Sequence, residues 1–224
     1  MTSNRSRYYM GRRIATVISH EEAGWLCRRE RSVEEQPNLL LDYLELVPGM
    51  VVADIGAGLG YLSVRIASRI TPSGIVYATD VQPQMVHTIV YNAKRLGLPN
   101  IKPVLSTPNN LNLPVNLFDL ILMVDVYHEC SNPPAILHGI RKALKPNGKL
   151  VLVEYRAEDP LVPIAIDHKM TVGQVRLELE SNGFRFIRTL EFLPWQHVIV
   201  FKKRTNLSMR KLLRCVTDLI PSSY

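Results

Sequence analysis

Residues 51–62 read VVADIGAGLGYL, an acid and three alternating glycines directly behind a β-branched run. A strand that feeds a helix through so bare a turn offers backbone amides to a nucleotide-type ligand, because glycine permits both the tight turn and a close approach. The rest of the chain repeats the strand-then-helix pattern. QPNLLLDYLELV carries Pro37 at a first helical position, with Leu40, Leu44 and Val47 at helical spacing. Further helices place Leu59, Leu62, Ile66 and Ile70 on one face, then Val86, Ile89, Val90 and Ala93, then Ile136, Leu137, Ile140 and Leu144. Between them run the short apolar strands MVVADI, GIVYATD, IKPVL, LFDLILMVDV and KLVLVEY, the third weakened by Pro103. Thr171 and Gln174 form a T-x-x-Q capping box for a last helix, and FRFIRTLEFL with WQHVIVFKK reads as an antiparallel hairpin. The expected fold is α/β: a doubly wound, mostly parallel seven-stranded sheet with a C-terminal antiparallel hairpin, helices on both faces, and ligands beyond the carboxyl ends of the strands.

At 224 residues there is room for one sizeable core with decorated ends. The pattern divides the chain into a basic N-terminal extension or lid (1–35), a ligand-binding domain (36–203) and a basic amphipathic tail (204–224). The net charge of +7 is uneven. Residues 1–31 hold seven Arg against three Glu and residues 202–224 hold six basic residues against one Asp, leaving 14 basic and 16 acidic residues between them. A slightly acidic body disfavours nucleic acid as partner, whereas the tail suits a membrane surface or its own sheet. No apolar stretch is long enough for a membrane span, and the Arg-rich start lacks the apolar core of a secretory leader. Cys27, Cys130 and Cys215 show no paired spacing, which fits a reducing cytoplasm, and Cys130 is expected to be a buried thiol.

Two cofactor classes use a glycine turn of this kind. The dinucleotide fingerprint G-x-G-x-x-G would need glycine at position 61, where Tyr61 stands. DIGAGLG instead resembles the first motif of the class I S-adenosylmethionine-dependent methyltransferases, an acid followed by G-x-G-x-G. Asp80, 24 residues after Gly56, stands where that family keeps an acid for the ribose hydroxyls. FDLILMVDVYHE and LKPNGKLVLVEY resemble its fourth-strand block and its fifth strand. The resemblance implies S-adenosyl-L-methionine as cofactor, with Asp54, Gly56, Ala57, Gly58, Gly60, Asp80, Val81 and Asp125 around it. The acid that usually meets adenine is missing from LSTPNNLNLP, and Thr107, Asn109 or Asn110 takes its place.

In this fold the residues after the fourth strand face the methyl group. The candidates for shaping the acceptor site are therefore Tyr127, His128 and Glu129, with His128 the best base by its ordinary pKa. Glu154, Tyr155, Arg156, His168, Lys169, Trp195 and His197 lie near other strand ends, and Tyr8, Tyr9 and Trp25 are expected either to line a lid over the acceptor or to serve as packing. His128, Glu129, His168 and His197 form no compact ligand spacing, so no metal is expected. His20, His87 and His138 are expected at the surface. SNPPA, residues 131–135, resembles the N-P-P-aromatic clamp of base-methylating enzymes but has Ala135 in place of the aromatic, and Pro133 suits a helix start. The expected activity is methyl transfer to a small molecule. The compact layout also resembles ubiquinone and menaquinone C-methyltransferases, so a quinone or lipid acceptor is the alternative, followed by RNA or protein and by a non-catalytic cofactor-binding protein.

Overall fold

The structure, a computed structural model, describes residues 7–204. The 204–224 tail, with Cys215 and its candidate membrane-facing helix, falls outside those residues from position 205, as do residues 1–6. The chain opens with a hairpin of two-residue strands, β1 (Tyr8–Tyr9) and β2 (Arg12–Arg13), turned by Met10 and Gly11 at positive φ. A 3-10 helix, His20–Cys27, follows, and Ser19 and Glu22 close a reciprocal capping box at its start. After it come α1 (Arg31–Glu34) and α2 (Pro37–Tyr43), with Pro37 in the first turn of α2 as expected.

The body then alternates β3 (Val51–Ile55), α3 (Tyr61–Arg69), β4 (Ile75–Asp80), α4 (Pro83–Arg95), β5 (Ile101–Leu105) and β6 (Phe118–Val124). It continues through α5 (Pro133–Ala143), β7 (Leu144–Arg156), β8 (Lys169–Met170), α6 (Val172–Ser181), β9 (Phe184–Leu190) and β10 (Gln196–Lys203). The sheet order is β5-β4-β3-β6-β7-β10-β9. The pairs among β3, β4, β5, β6 and β7 are parallel, and β10 runs antiparallel to both β7 and β9. These are the seven expected strands. An eighth, β8, adds only two residues alongside the end of β7, too few for any periodicity to show.

Both faces of the sheet are covered, which explains the unbroken apolar runs. Along β6, Leu120 and Leu122 enter one core with Leu40, Ile66 and Ile89, while Ile121 and Met123 enter the other with Leu137, Ile140 and Val175. Successive strand side chains point to opposite faces, so a strand buried on both faces reads as continuously apolar. Helices α2, α3 and α4 therefore cover one face, and α5 and α6 the other. In α4 the buried stripe is Met85, Ile89 and Ala93, at steps of four. Val90, expected inward, is half exposed, because an apolar residue one position further round the helix points past the sheet. Pro103 is tolerated because β5 is the outermost strand. Thr171 accepts the Gln174 amide at 3.0 Å, but the Gln174 side chain reaches to Met10 and Glu178 instead of returning to the cap.

Candidate active site

The turn after β3 is set by its glycines, all at positive φ: Gly56 at +68°, Gly58 at +55° and Gly60 at +80°. The space a side chain would need is occupied by the protein itself. A Cβ on Gly56 would lie 2.5 and 2.6 Å from the two Val126 methyl carbons, and one on Gly58 2.8 Å from Leu26 Cδ1. Gly60 faces Ile89 and starts α3, and the Ala57 amide donates to the Thr79 carbonyl at 2.8 Å, tying the turn to β4. Beneath it Asp54 is buried and accepts the Ser63 hydroxyl at 2.5 Å, and burial pushes its carboxyl up to about 6 despite that bond.

Asp80, at the end of β4, accepts the Gly58 amide on Oδ2 at 3.0 Å and the Gln82 amide on Oδ1 at 2.9 Å. Burial raises its pKa, and the amides partly oppose this. Beyond the strand ends a cavity is lined by Gly56, Gly58, Asp80, Val81, Thr107 and Asp125 among the expected residues, and by Glu129 at its far side. Asp54, Ala57, Gly60 and Asn109 support it from outside. The Asn109 carboxamide accepts from Asn132, which caps α5 through the Ala135 amide, so SNPPA is a helix start. Ser106, Gln82, Met85 and Leu111 also line the cavity. The sequence held a signal only for Ser106 and Gln82, as polar residues next to strand ends.

Asp125 stands out. It follows β6 at φ +54°, and its Oδ2 accepts from Gln196 Nε2 at 2.6 Å, whereas Oδ1 is buried without a hydrogen-bond partner among the described residues. Burial, then the charges of Glu35 and Glu154, hold its carboxyl well above the usual range. A cationic group beside Oδ1 would relieve both costs.

A second cavity, about 390 Å³, adjoins the first and shares Val17, Ile18 and Asp125 with it. Trp25, Tyr155, Thr16, His128 and His168 complete most of its wall. The N-terminal segment lies across both cavities: the Ala15 amide donates to the His128 carbonyl at 3.0 Å, Gln82 donates to the Ile18 carbonyl at 3.0 Å, and the His20 amide donates to Gln82 at 2.9 Å. His128 is fully buried, and its Nδ1 lies 2.5 Å from Glu154 Oε2. Burial alone would lower the His128 pKa, but the charge and hydrogen bond of Glu154 outweigh it and the net shift is upward. Its Nε2 faces His168 Nδ1 at 3.1 Å. Glu129 lies close by, its carboxyl pushed up to about 7 by burial, and burial followed by the charge of His128 lowers His168.

Tyr127 lines neither cavity. Its ring is buried, and its hydroxyl donates to Glu178 at 2.8 Å, so it belongs to the core under α6. Glu178 also takes two bonds from Arg12, at 2.8 and 3.1 Å. His197 is held between Glu191 and Glu158, Arg156 is bonded to Glu191 and to loop carbonyls, and Tyr9 accepts from Asn182. His20, His87 and His138 are exposed. Burial pushes the Cys130 thiol up to about 12, an inert thiol at neutral pH.

A glycine turn over a strand end, an acid at the end of the next strand and an acid after β6 define a nucleoside-binding α/β domain of the methyltransferase class. Residues 46–195 match the family model described as a methyltransferase domain, and the chain belongs to the class I S-adenosylmethionine-dependent methyltransferases. It is 30% identical over 122 residues to a ubiquinone/menaquinone biosynthesis C-methyltransferase from Hydrogenovibrio crunogenus, covering 54% of this chain and 48% of that protein. The same-named protein of Bordetella avium is 33% identical over 118 residues, covering 52% and 45%. The chain thus spans about half the length of the curated relatives it matches. The crystal structure of a SAM dependent methyltransferase from Aquifex aeolicus superposes with a TM-score of 0.78 at 27% identity, covering 83% of this chain and 98% of that one.

The residues present fit S-adenosylmethionine. The orphaned Asp125 Oδ1 suits its ammonium group, and Asp80, fixed by two amides, keeps lone pairs for a ribose diol.

Proposed function

We propose that the protein methylates a small molecule seated in the second cavity, beside the cofactor. The observation that carries this reading is the pairing of the two cavities across Val17, Ile18 and Asp125, with the His128–Glu154 pair at the wall of the second. Bound S-adenosylmethionine supplies a methyl group on a sulfonium, an already activated leaving group. The chain's own residues then have two tasks, alignment and proton removal. Alignment falls to Trp25, Tyr155 and the segment carrying Val17 and Ile18, which roofs the site against bulk water. Proton removal falls to His128: Glu154 holds the proton on Nδ1, leaves Nε2 as acceptor and favours the imidazolium that forms. Glu129 and His168 complete the polar wall around that nitrogen.

The roofed cavity and the slightly acidic body support a small acceptor over RNA or protein. The names of the curated relatives support a quinone-type acceptor as the second reading. Among the described residues no helix is long and apolar enough to cross a membrane.

Incubation with methyl-labelled S-adenosylmethionine and fractionated cell extract tests the reading. Label is expected in polar metabolites, label in the lipid fraction selects the quinone reading, and label confined to RNA or protein overturns both. Cofactor binding with no labelled fraction points to a non-catalytic role. His128→Asn is expected to lower turnover by about 10²–10⁴-fold while cofactor binding persists.

A further inference from the structure

We propose that His128, Glu129 and His168 bind one divalent transition-metal ion of the borderline class, zinc foremost, where the two cavities meet. Three donor atoms converge there: His128 Nε2 and His168 Nδ1 are 3.1 Å apart, and Glu129 Oε1 is 3.9 Å from the first and 3.7 Å from the second. The point equidistant from the corners of that triangle lies about 2.1 Å from each, the bond length of zinc to imidazole nitrogen and carboxylate oxygen. At that point an ion lies in the plane of the three donors, and a closing of the donors by a few tenths of an ångström lifts it from that plane toward a fourth ligand. The two imidazole planes are inclined at 76°, so the rings meet as neighbouring ligands and do not stack.

The surroundings match what metal-binding histidines require. Glu154 Oε2 accepts the hydrogen bond of His128 Nδ1–H, which fixes the tautomer with its lone pair on Nε2 and orients the ring. The backbone of His128 is itself held, its carbonyl accepting from Arg12 at 2.9 Å and from the Ala15 amide. Glu129 Oε1 accepts the Ile18 amide at 3.3 Å, which aims the carboxylate inward. The side chains are 1%, 11% and 23% exposed for His128, Glu129 and His168, so the donors are dry enough to bind strongly yet reachable. His197 makes the contrast: both of its nitrogens are taken by carboxylates, and it has no lone pair to offer.

Two His and one Glu form a donor set for zinc and its neighbours, and oxygen-seeking magnesium or calcium is a poor match. Among the described residues no fourth protein ligand joins the three. Three protein ligands leave a position open, as in catalytic sites, and here it faces the cavity lined by Trp25 and Tyr155. The ion binding stands on the geometry alone. That the open position receives a hydroxyl or thiol of the methyl acceptor, with its acidity raised by the ion, rests on the proposed function. With the ion bound, His128 Nε2 would serve as ligand, the ion would lower the pKa of the hydroxyl or thiol so that its proton passes to solvent, and the methyl group would then bond to that oxygen or sulfur while the sulfonium keeps the S–CH3 bonding pair and leaves as a thioether.

The test uses the full chain, stripped with a chelator and titrated with zinc sulfate by calorimetry, then with cobalt(II) followed by visible absorption. One equivalent is expected to bind, with cobalt bands of low-coordinate intensity. His168→Ala and Glu129→Gln are each expected to weaken zinc binding by at least about tenfold and to abolish those bands, while an unchanged urea-unfolding midpoint shows both variants folded and His168→Ala, whose side chain lines only the second cavity, still binds S-adenosylmethionine. The proposal is overturned if the stripped wild type takes up no zinc while binding the cofactor, or if His168→Ala leaves affinity and spectrum unchanged. Zinc binding without any methyl transfer would instead remove the proposed function and leave the ion site standing.

Discussion

Gly56 answers to two separate demands. Its backbone sits at φ +68°, and its missing side chain makes room for Val126, which arrives from the far end of β6. Gly56→Ala is expected to cost about 2–4 kcal/mol, read from urea unfolding, as strain and overpacking combine. Adding Val126→Ala should return part of that loss; an additive double variant would show that the overlap is not the cause. Asp80→Asn removes the charge and sets an amide NH2 against one of the two backbone N–H groups that the carboxylate serves, so cofactor affinity should fall about 10–100-fold by calorimetry and the unfolding free energy should fall with it, by about 1–3 kcal/mol. The spacing of the glycines is legible in the sequence, but their neighbours are not, because Val126 and Leu26 are brought in by the fold. The same holds for Asp125, whose unpaired oxygen exists only once Gln196 and the cavity walls surround it.

The N-terminal segment shows what composition hides. Seven arginines in residues 1–31 look like a free basic surface, yet Arg12, Arg28 and Arg31 are about nine-tenths buried and paired with Glu178, Glu34 and Glu35. The excess positive charge is partly an internal clamp that ties the segment to α6 and to the floor of the second cavity, where Tyr155 donates to Glu35. Arg12→Met leaves Glu178 buried with its charge unmatched and should cost about 3–5 kcal/mol. Pairing it with Glu178→Gln should recover a large part. In hydrogen exchange the Arg12→Met protein should lose protection at the Ala15 amide, and unchanged protection would show that the clamp does not hold the segment. Strand and helix order follows from apolar runs that both faces of the sheet demand. The path of residues 14–18 follows from no period, since those residues pair with Gln82, His128 and Glu129 across the molecule.

At the scale of the whole molecule, the alternation of strands and helices and the glycine turn after β3 were readable because they rest on short-range spacing, whereas the order of the strands in the sheet rests on long-range pairing. The His128–Glu129–His168 cluster was not readable either, because two 3-10 turns far apart in the chain, Tyr127–Glu129 and Ile166–His168, must meet before it exists. Buried acids also set the response to pH. The Asp54 carboxyl titrates near 6 in the fold against an ordinary 3.8, so the folded state holds its proton more tightly. Its contribution is therefore full below about 3.8 and is lost as pH rises through 6, up to about 3 kcal/mol. Asp54→Asn should flatten the fall in unfolding midpoint between pH 4 and 7, and a slope equal to the wild type would refute this assignment. The position of β10 bears on how the chain is made. It is the last strand in the described residues, yet it lies between β7 and β9. A nascent chain that has emerged only as far as Pro194 holds two bare strand edges with nothing to join them, a template for pairing with other copies. Stalled or clipped polypeptides ending before Gln196 should therefore be recovered as aggregates, and the sheet is sealed only once β10 is available to pair with β7 and β9.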